Sequence, residues 1–317
     1  MSTGTLGLVI DGQDSSQVLA RVRQAEQLGI GAVWLTTGRA GRDALTLFAA
    51  AAVQTERVLL GTAVVPTWPR HPVAVAQQAR VVGELAPGRF RLGVGPSHRA
   101  TMEGIFGVEF QAPLAHLREY LRILRALLHQ GEVEFEGRFY QAHARTGVRA
   151  DVPVMASALR RGSFELCGAE ADGAISWVCP APYLHDVALP ALQAGATRAG
   201  RPVPPLFAHV PVCLTRNRNE VYAAVREQMG GYPANPFYTQ MFADAGFPEA
   251  KELKGWSDAM VDAVAVSGTE AAVEDGLRRV LALGAEELLV SVLTVGPDSR
   301  AAWDRTVRFL GKVAQRS

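Results

Sequence analysis

The sequence from Gly61 to Arg99, GTAVVPTWPRHPVAVAQQARVVGELAPGRFRLGVGPSHR, carries the pattern that decides the fold class. An apolar run over 58–65 ends at a proline-rich turn, and a helix is predicted from Pro72 to near Pro87. A second apolar run over 90–94 then leads into glycine and polar residues. This order indicates two parallel strands joined by a helix, and ligands of such folds bind at the carboxyl ends of the strands.

The same alternation of strand and helix continues along the whole chain. Apolar runs are followed by segments with helical periodicity, which predicts a (β/α)8 TIM barrel that spans residues 1–317 as a single domain. The predicted strands are Thr5–Ile10, Ala32–Leu35, Val58–Val65, Phe90–Val94, Asp151–Ala156, Asp172–Val178, Leu206–Leu214 and Glu286–Leu293.

Two segments do not fit a plain barrel. The residues GEVEFEGRFYQ around Gly137 alternate polar and apolar side chains, which predicts a small hairpin outside the barrel. Residues 215–267, between the seventh and eighth strands, are too long for a simple crossover and contain GGYPANPFYTQMF. We expect this insertion to lie at the C-terminal mouth and act as a lid. A packing insert or a dimer contact is the alternative.

The composition limits the class of protein. The chain has 317 residues, 48% of them hydrophobic, and a net charge of +1, so it can bury a large core without attracting nucleic acid or anionic membranes. It has no apolar stretch of transmembrane length and no cleavable leader pattern, which predicts a cytoplasmic protein. Cys167, Cys179 and Cys213 are far apart in the sequence, and we expect them to be core thiols.

The residues at the ends of the predicted strands suit a bound cofactor. They include no pair of carboxylates for glycoside hydrolysis and no cluster of metal ligands, so we expect no metal site. A mouth that is small, apolar and hydroxylic favours a flat cofactor that brings its own chemistry. The strand-end residues are Asp11, Thr36, Thr37, Val65, Gly95, Ser97, His98, Ser157, Trp177 and Thr294.

Two short segments and three single residues carry more specific expectations. Residues 155–162, MASALRRG, run from a strand into a helix and indicate a phosphate-binding turn; an ordinary capped helix with solvated arginines is the alternative. His98 either contacts the substrate or caps its loop. His71 is expected to be structural, and Glu103 is either a proton donor or a solvated loop acid. The GVGPSH segment from Gly93 matches a dinucleotide fingerprint only in part.

The sequence resembles the bacterial luciferase-like monooxygenase superfamily, and within it the branch that uses the deazaflavin coenzyme F420. The matching segments follow the family order across nearly the whole chain, and the block from the third to the fourth strand is the most specific. They are GIGAVWLTT, WPRHPVAVAQQARVVGELAPGRFRLGVGPSH, LREYLRILRALL, PVMASAL, GAEADGAISWV and SGTEAAVEDGLRRVLALGAEELLVSVL.

The resemblance implies a cofactor ring in the C-terminal mouth, with a non-prolyl cis peptide at Ala63–Val64 behind it. Ser97 and His98 are the expected catalytic side chains. The expected cofactor-binding residues are Ala63, Val64, Val65, Gly95, Pro96, Ser97, Ser157, Ala158, Leu159, Arg160 and Arg161. The expected substrate-binding residues are Thr37, Trp177, Tyr232, Phe237 and Tyr238.

The chain departs from the family at the end of the second strand. Many F420-dependent relatives have an Asp-His pair where this chain has Thr37-Gly38, so oxidation of a sugar phosphate becomes doubtful. The favoured hypothesis is a homodimeric oxidoreductase that passes hydride from reduced F420 to an activated alkene, imine or similar small molecule, with a separate enzyme reducing the cofactor. The alternatives are a two-component monooxygenase that uses FMN and oxygen, a non-catalytic flavin-binding barrel and, more distantly, a Rossmann-type dehydrogenase.

Overall fold

Eight parallel strands close into a barrel in the computed structural model, which describes residues 5–316. The strands are β1 Thr5–Val9, β2 Ala32–Leu35, β3 Leu59–Thr62, β4 Val65–Pro66, β5 Phe90–Gly95, β6 Glu132–Glu136, β7 Gln141–Arg145, β8 Val154–Ser157, β9 Gly173–Ser176, β10 Leu206–Cys213, β11 Val266–Ser267 and β12 Glu287–Val292. The barrel strands follow the order β1-β2-β3-β5-β8-β9-β10-β12, and β12 pairs with β1 to close the circle. The predicted TIM barrel is therefore confirmed.

Helices cover the outside of the barrel and carry the connections between its strands. They are α1 Ser15–Gln27, α2 Ala44–Ala52, α3 Pro72–Leu85, α4 Arg99–Phe106, α5 Pro113–Arg125, α6 Arg161–Glu170, α7 Ala181–Tyr183, α8 Leu189–Arg198, α9 Arg218–Gln228, α10 Pro236–Asp244, α11 Ala250–Leu253, α12 Asp258–Val264, α13 Glu270–Ala282 and α14 Ser299–Ala314. Two π-helical turns, Ala126–Gln130 and Leu184–Ala188, follow α5 and α7. None of the helices described over residues 5–316 is long and apolar enough to cross a membrane.

Side-chain caps fix where several helices begin. The carboxylates of Asp14 and Asp43 accept backbone N–H groups at the starts of α1 and α2, and Thr269 caps α13 as predicted. His71 caps α3, because its imidazole accepts the N–H of Val73 at 3.3 Å, which confirms the structural role expected for this histidine. The loops after the barrel strands converge at one end because all eight strands are parallel.

A buried polar cluster closes the opposite end of the barrel. The Trp34 indole fills the lumen and donates from Nε1 to Glu287 Oε1 at 2.6 Å. Arg91 forms a two-pronged ion pair with the same carboxylate, at 2.8 and 3.1 Å. A Cβ atom on Gly7 would lie 2.6 Å from Trp34 Nε1, and one on Gly61 would lie 2.5 Å from the indole ring, so both positions need glycine. Within residues 5–316, this cluster fills the barrel at the end where its strands begin.

Both segments that did not fit a plain barrel lie outside it. The antiparallel pair β6–β7 is the predicted hairpin. Residues 215–267 contain α9 to α12 and then β11, which adds to the edge of β10. The sequence suggested a loop at GGYPANPFYTQMF, but its second half is α10. Pro236 suits the first helical position, and Tyr238, Met241 and Phe242 recur at helical spacing and are buried.

The three cysteines are free and buried, as expected. Burial raises the pKa of the Cys167 and Cys179 thiols to about 12, so both are protonated at neutral pH.

Candidate active site

One cavity of about 1150 Å³ lies at the carboxyl ends of the barrel strands. Apolar walls and a few polar groups line it, as in most small-molecule sites. Of the residues expected to bind cofactor or substrate, Val65 and Gly95 do not line it, and neither do the strand-end candidates Asp11 and Thr294. The predicted residues that it brings together are Thr37, Ala63, Val64, Pro96, Ser97, His98, Ser157, Ala158, Leu159, Arg160, Arg161, Trp177, Tyr232, Phe237 and Tyr238.

A bulge between β3 and β4 forms one wall of the cavity. The peptide bond between Ala63 and Val64 is cis, as the resemblance implied. Hydrogen bonds tie this bulge to the end of β2: Ala63 donates its N–H to the Leu35 carbonyl at 2.8 Å, and Val64 accepts the Thr37 N–H at 3.3 Å. Ala63 and Val64 face the cavity, whereas Val65 is fully buried in the core behind it. A flat ring can therefore lie against small side chains that are held from two strands.

Gly95, at the end of β5, acts by leaving room for other residues rather than by lining the cavity. A Cβ atom there would lie 2.2 Å from Ser157 Oγ and 2.9 Å from a Val64 methyl carbon. The absent side chain lets Ser157 and the bulge pack close to β5. The sequence indicated a close approach at this glycine, and the approaching groups are side chains of the protein itself.

Ser97 and His98 project into the cavity from the turn after β5. Ser97 has a φ of +59°, a conformation that non-glycine residues rarely adopt. His98 occupies the N-cap position of α4, but its side chain makes no capping hydrogen bond. Its ring lies 6.1 Å from the Tyr232 ring and 5.8 Å from the Tyr238 ring, measured between centroids. Burial lowers the pKa of His98, so the imidazole is neutral at neutral pH and offers one N–H donor.

Glu103, a candidate proton donor from its place in the sequence, lies one turn into α4. It pairs with Arg99 at 2.7 Å on an exposed surface and does not line the cavity. This placement favours the solvated loop acid over the proton donor.

The turn between β8 and α6 has amide groups that can bind an anion, but these belong to the first residues of α6 and not to Leu159 and Arg160. Ser163 Oγ accepts the N–H groups of Leu159 and Arg160, at 2.9 and 3.0 Å, so those two amides are already satisfied. Arg160 is the N-cap, and the helix begins at Arg161. The first amides of the helix, those of Arg161 and Gly162, have no acceptor one turn earlier. Both residues line the cavity, as does Ser163, and Gly162 and Ser163 were missed from the sequence.

The insertion forms the aromatic wall of the cavity. Tyr232 and Tyr238 pack against each other with ring centroids 5.1 Å apart, and Phe237 lies beside them with 40% of its surface exposed. Gln228, at the end of α9, hydrogen-bonds both the N–H and the carbonyl of Thr294, which fixes the insertion to the end of β12. The insertion is therefore anchored at the mouth of the barrel, and its action as a lid stays a prediction.

Charged side chains line only part of the cavity. Arg39, Arg160 and Arg161 are the cationic lining residues described, and Asp244 of α10 lies 3.6 Å from Arg160. No group of three or more His, Cys, Asp or Glu in the described part of the chain could hold a metal ion.

The chain belongs to the family of luciferase-like monooxygenases, because the model of that family matches residues 3–287. This match confirms the resemblance seen in the sequence. The chain is 26% identical over 307 residues to the 5,10-methylenetetrahydromethanopterin reductase of Methanolobus tindarius, covering 91% of this chain and 92% of that protein. It is 36% identical over 200 residues to an F420-dependent glucose-6-phosphate dehydrogenase of Beutenbergia cavernae, covering 58% and 59%.

Solved structures with lower identity share the fold. An F420-dependent secondary alcohol dehydrogenase in complex with an F420-acetone adduct superposes with a TM-score of 0.81 at 16% identity, covering 99% of both chains. The oxygenating constituent of 3,6-diketocamphane monooxygenase of Pseudomonas putida, in complex with FMN, superposes with a TM-score of 0.70 at 18% identity, again covering 99% of both. The same barrel thus occurs with both cofactors.

Proposed function

We propose that this protein is an F420-dependent oxidoreductase that transfers a hydride from the reduced cofactor to a small, uncharged electrophile such as an activated alkene or imine. One observation carries this proposal: the cis-peptide bulge at Ala63–Val64 and the turn before α6, the two segments expected to hold the ring and the phosphate, face the same cavity. The curated relatives support the choice of deazaflavin, since one of them is named for F420 dependence and matches at 36% identity.

The residues present fit a large phosphate-bearing cofactor. A volume of about 1150 Å³ exceeds that of most drug-sized pockets, which leaves room for a substrate beside the cofactor. The amides of Arg161 and Gly162, the Ser157 hydroxyl and the Arg160 guanidinium can hold the phosphate. Ala63 and Val64 offer the small apolar support that a flat ring needs.

The protein orients the substrate, excludes water and stabilises charge that develops during the reaction. Reduced deazaflavin supplies the hydride from its C5. Tyr232, Phe237 and Tyr238 cover the mouth and keep water out. The neutral His98 holds a proton on one ring nitrogen and donates a hydrogen bond to the substrate atom that becomes negative. One proton from water completes the reduction, so the substrate gains two electrons and two hydrogens in total.

The end of β2 argues against oxidation of a sugar phosphate. Thr36, Thr37 and Gly38 line the cavity there, and none of them ionises near neutral pH. The Thr37 hydroxyl is also engaged, because its oxygen accepts the Ala44 N–H at 3.0 Å. No acid or histidine stands at this strand end to remove a proton from an alcohol, so reduction of an electrophile is the favoured direction.

The experiment is an anaerobic assay of the purified protein with reduced F420 and a panel of enones and imines, followed by cofactor absorbance. We expect cofactor oxidation that depends on both protein and substrate. A parallel assay supplies reduced FMN and measures oxygen uptake, which would instead support the monooxygenase. Tight binding without turnover in either assay would support the non-catalytic barrel. The homodimer, the separate cofactor reductase and the cytoplasmic location stay predictions.

A further inference from the structure

A buried histidine supports the centre of the cavity wall. His209 lies in β10 and is 2% exposed. Its imidazole stacks on the indole of Trp177, with ring centroids 3.7 Å apart and an angle of 13° between the planes. Trp177 lines the cavity and packs against the apolar cluster at the barrel axis, which includes Ala63 and Ile175. The histidine therefore holds an aromatic side chain that lies beside the ring-supporting bulge.

Hydrogen bonds at both ring nitrogens fix the orientation of His209. Nδ1 accepts the backbone N–H of Val178 at 3.3 Å, and Nε2 lies 2.8 Å from Ser291 Oγ. Because Nδ1 is an acceptor, the proton of the neutral imidazole is on Nε2, which donates to Ser291. Burial lowers the pKa of His209 to about 3, so this neutral form persists through the physiological range. The ring thus has a single tautomer and a single orientation.

The bond from Val178 holds an unusual backbone. Val178 has a φ of +46°, which is an outlier for a β-branched residue, and it is fully buried. Such conformations persist only where the surroundings enforce them, and they occur often at ligand-binding sites. The Val178 N–H bond to His209 and the stack on Trp177 act on consecutive residues. Both contacts set the direction of the Trp177 side chain.

The indole N–H of Trp177 is buried beside the Tyr232 hydroxyl and makes no well-formed hydrogen bond in the part of the chain that the structure describes. Burial raises the pKa of Tyr232, and the contact with the Trp177 indole N–H opposes that rise. A buried donor without a well-formed hydrogen bond is costly, and in a binding site the ligand is the natural acceptor. The Tyr232 hydroxyl is a second donor at the same place.

We propose that the indole N–H of Trp177 binds the acceptor atom of the substrate, and that His209 is a positioning residue that holds this donor in place. This inference rests on the proposed function and names the substrate class more closely. An uncharged carbonyl oxygen or imine nitrogen fits two neutral donors, whereas a carboxylate or phosphate would bring a charge that they do not balance.

The first test observes the donor directly, by NMR of protein labelled with 15N at the tryptophan indoles. The Trp177→Phe variant assigns the Trp177 signal among the five tryptophans. We expect cyclohex-2-enone to shift this signal more than any other, and His209→Phe, which keeps an aromatic ring but loses both hydrogen bonds, to broaden or shift it. A Trp177 signal that ignores the enone, or that is unchanged in His209→Phe, overturns the proposal.

His116→Asn is the matched control, because His116 is also buried and also stacks on a tryptophan, Trp68, at 3.6 Å and 9°, away from the cavity. We expect it to leave the Trp177 signal in place. If His209→Phe fails to fold, Ser291→Ala decides the question. That variant removes only the acceptor of the Nε2 proton, and an unchanged Trp177 signal in it would overturn the proposal.

A double-mutant comparison separates positioning from a general loss of structure. With reduced F420 and cyclohex-2-enone, Trp177→Phe and His209→Phe should each lower kcat/KM by about tenfold or more, mainly through kcat. The double variant should be no worse than Trp177→Phe alone, since His209 acts through Trp177. Additive losses would overturn the positioning role. Failure of F420 to bind would count against the proposed function alone, because the indole signal is measured without cofactor.

Discussion

His98 shows at the level of one residue how burial sets chemical capacity. Its position after β5 made it a candidate in the sequence, with capping of the loop as the alternative. The structure places it at the N-cap without a capping bond and against two tyrosines. Burial lowers its pKa, so it is suited to donate a hydrogen bond and not to carry a charge.

We therefore expect His98→Ala to lower kcat by about 100-fold, the range in which one hydrogen-bond donor to a developing negative charge contributes. Affinity for F420 should stay within about twofold, because the phosphate and ring contacts lie elsewhere. His98→Gln, which keeps an N–H donor, should recover part of the loss. Cofactor affinity, measured by fluorescence titration, is the second readout. A large fall in affinity with unchanged kcat would make His98 a binding residue instead.

A second prediction concerns Gly95. Gly95→Ala introduces a Cβ atom 2.2 Å from Ser157 Oγ and 2.9 Å from Val64. The serine and the bulge must then move, so we expect F420 to bind about tenfold or more weakly with a modest change in Tm. Gly104→Ala is the control, since nothing lies within 4 Å of its Cβ position in α4. Unchanged F420 binding in Gly95→Ala would show that this close packing does not shape the cofactor site.

At the level of elements, the N-terminus of α6 and the helix α10 meet at a charged pair. Arg160 Nε lies 3.6 Å from Asp244 Oδ2, and both side chains are partly exposed, so the pair itself adds little to stability. Both residues line the cavity, so under the proposed function Asp244 competes with the cofactor phosphate for the guanidinium. Ser163 meanwhile orders the turn by accepting two of its amides.

We expect Asp244→Asn to strengthen F420 binding by about two- to fivefold at low ionic strength, and less in high salt, because a charge that repels the phosphate is removed. Arg160→Ala should weaken binding, also most at low salt. Titrations of both variants at two salt concentrations test this pair. Binding that is equally strong in Arg160→Ala would remove the phosphate from this turn.

Much of the fold could be predicted because it depends on local patterns. Short apolar runs and the apolar faces of helices can be recognised within about a dozen residues of sequence, and all eight barrel strands were predicted from such runs. Most of the expected site residues line one cavity, because strand ends converge in any parallel barrel, but their roles stay predictions. The helix α10 was missed because glycine and proline obscured the spacing of its buried residues.

Contacts between distant residues could not be predicted. His209 reaches Val178 across 31 positions and Ser291 across 82, and no local pattern marks either pairing. The only signal was a histidine within the apolar run LFAHVPVC, which is also typical of a core histidine. The role of Ser163 could not be predicted either. Ser163 is the third residue of α6, and the direction of its side chain decides that its hydroxyl accepts two backbone amides of the preceding turn.

At the scale of the whole molecule, the barrel is sealed at one end and open at the other. The Trp34, Arg91 and Glu287 cluster closes the amino-terminal end, and the insertion covers the carboxyl-terminal end. The interior also contains neutral histidines. Burial lowers the pKa of His209 to about 3 and that of His116 to about 4, against an ordinary value of 6.5.

These histidines predict that stability falls as the pH falls. Their neutral forms are favoured in the folded state, so the contribution is complete above pH ~6.5 and is lost on the way down to the folded pKa values. Each should cost roughly 2 kcal/mol of unfolding free energy between pH 8 and pH 5. Urea titrations across this window check the slope, which should be shallower in His209→Asn. The exposed His143 has a raised pKa, so its effect on stability as the pH falls is opposite to that of the buried histidines. It is present in both proteins and therefore does not change the difference between their slopes. Equal slopes would contradict a neutral, buried His209.

The most direct measurement of the central claim is a paired fluorescence titration of the purified protein with coenzyme F420 and with FMN, repeated on Arg160→Ala. We predict that F420 binds about tenfold or more tightly than FMN, and that the variant loses much of this affinity. Tighter binding of FMN would contradict the assignment of the cofactor and favour a monooxygenase. Binding of neither would contradict the assignment of the site.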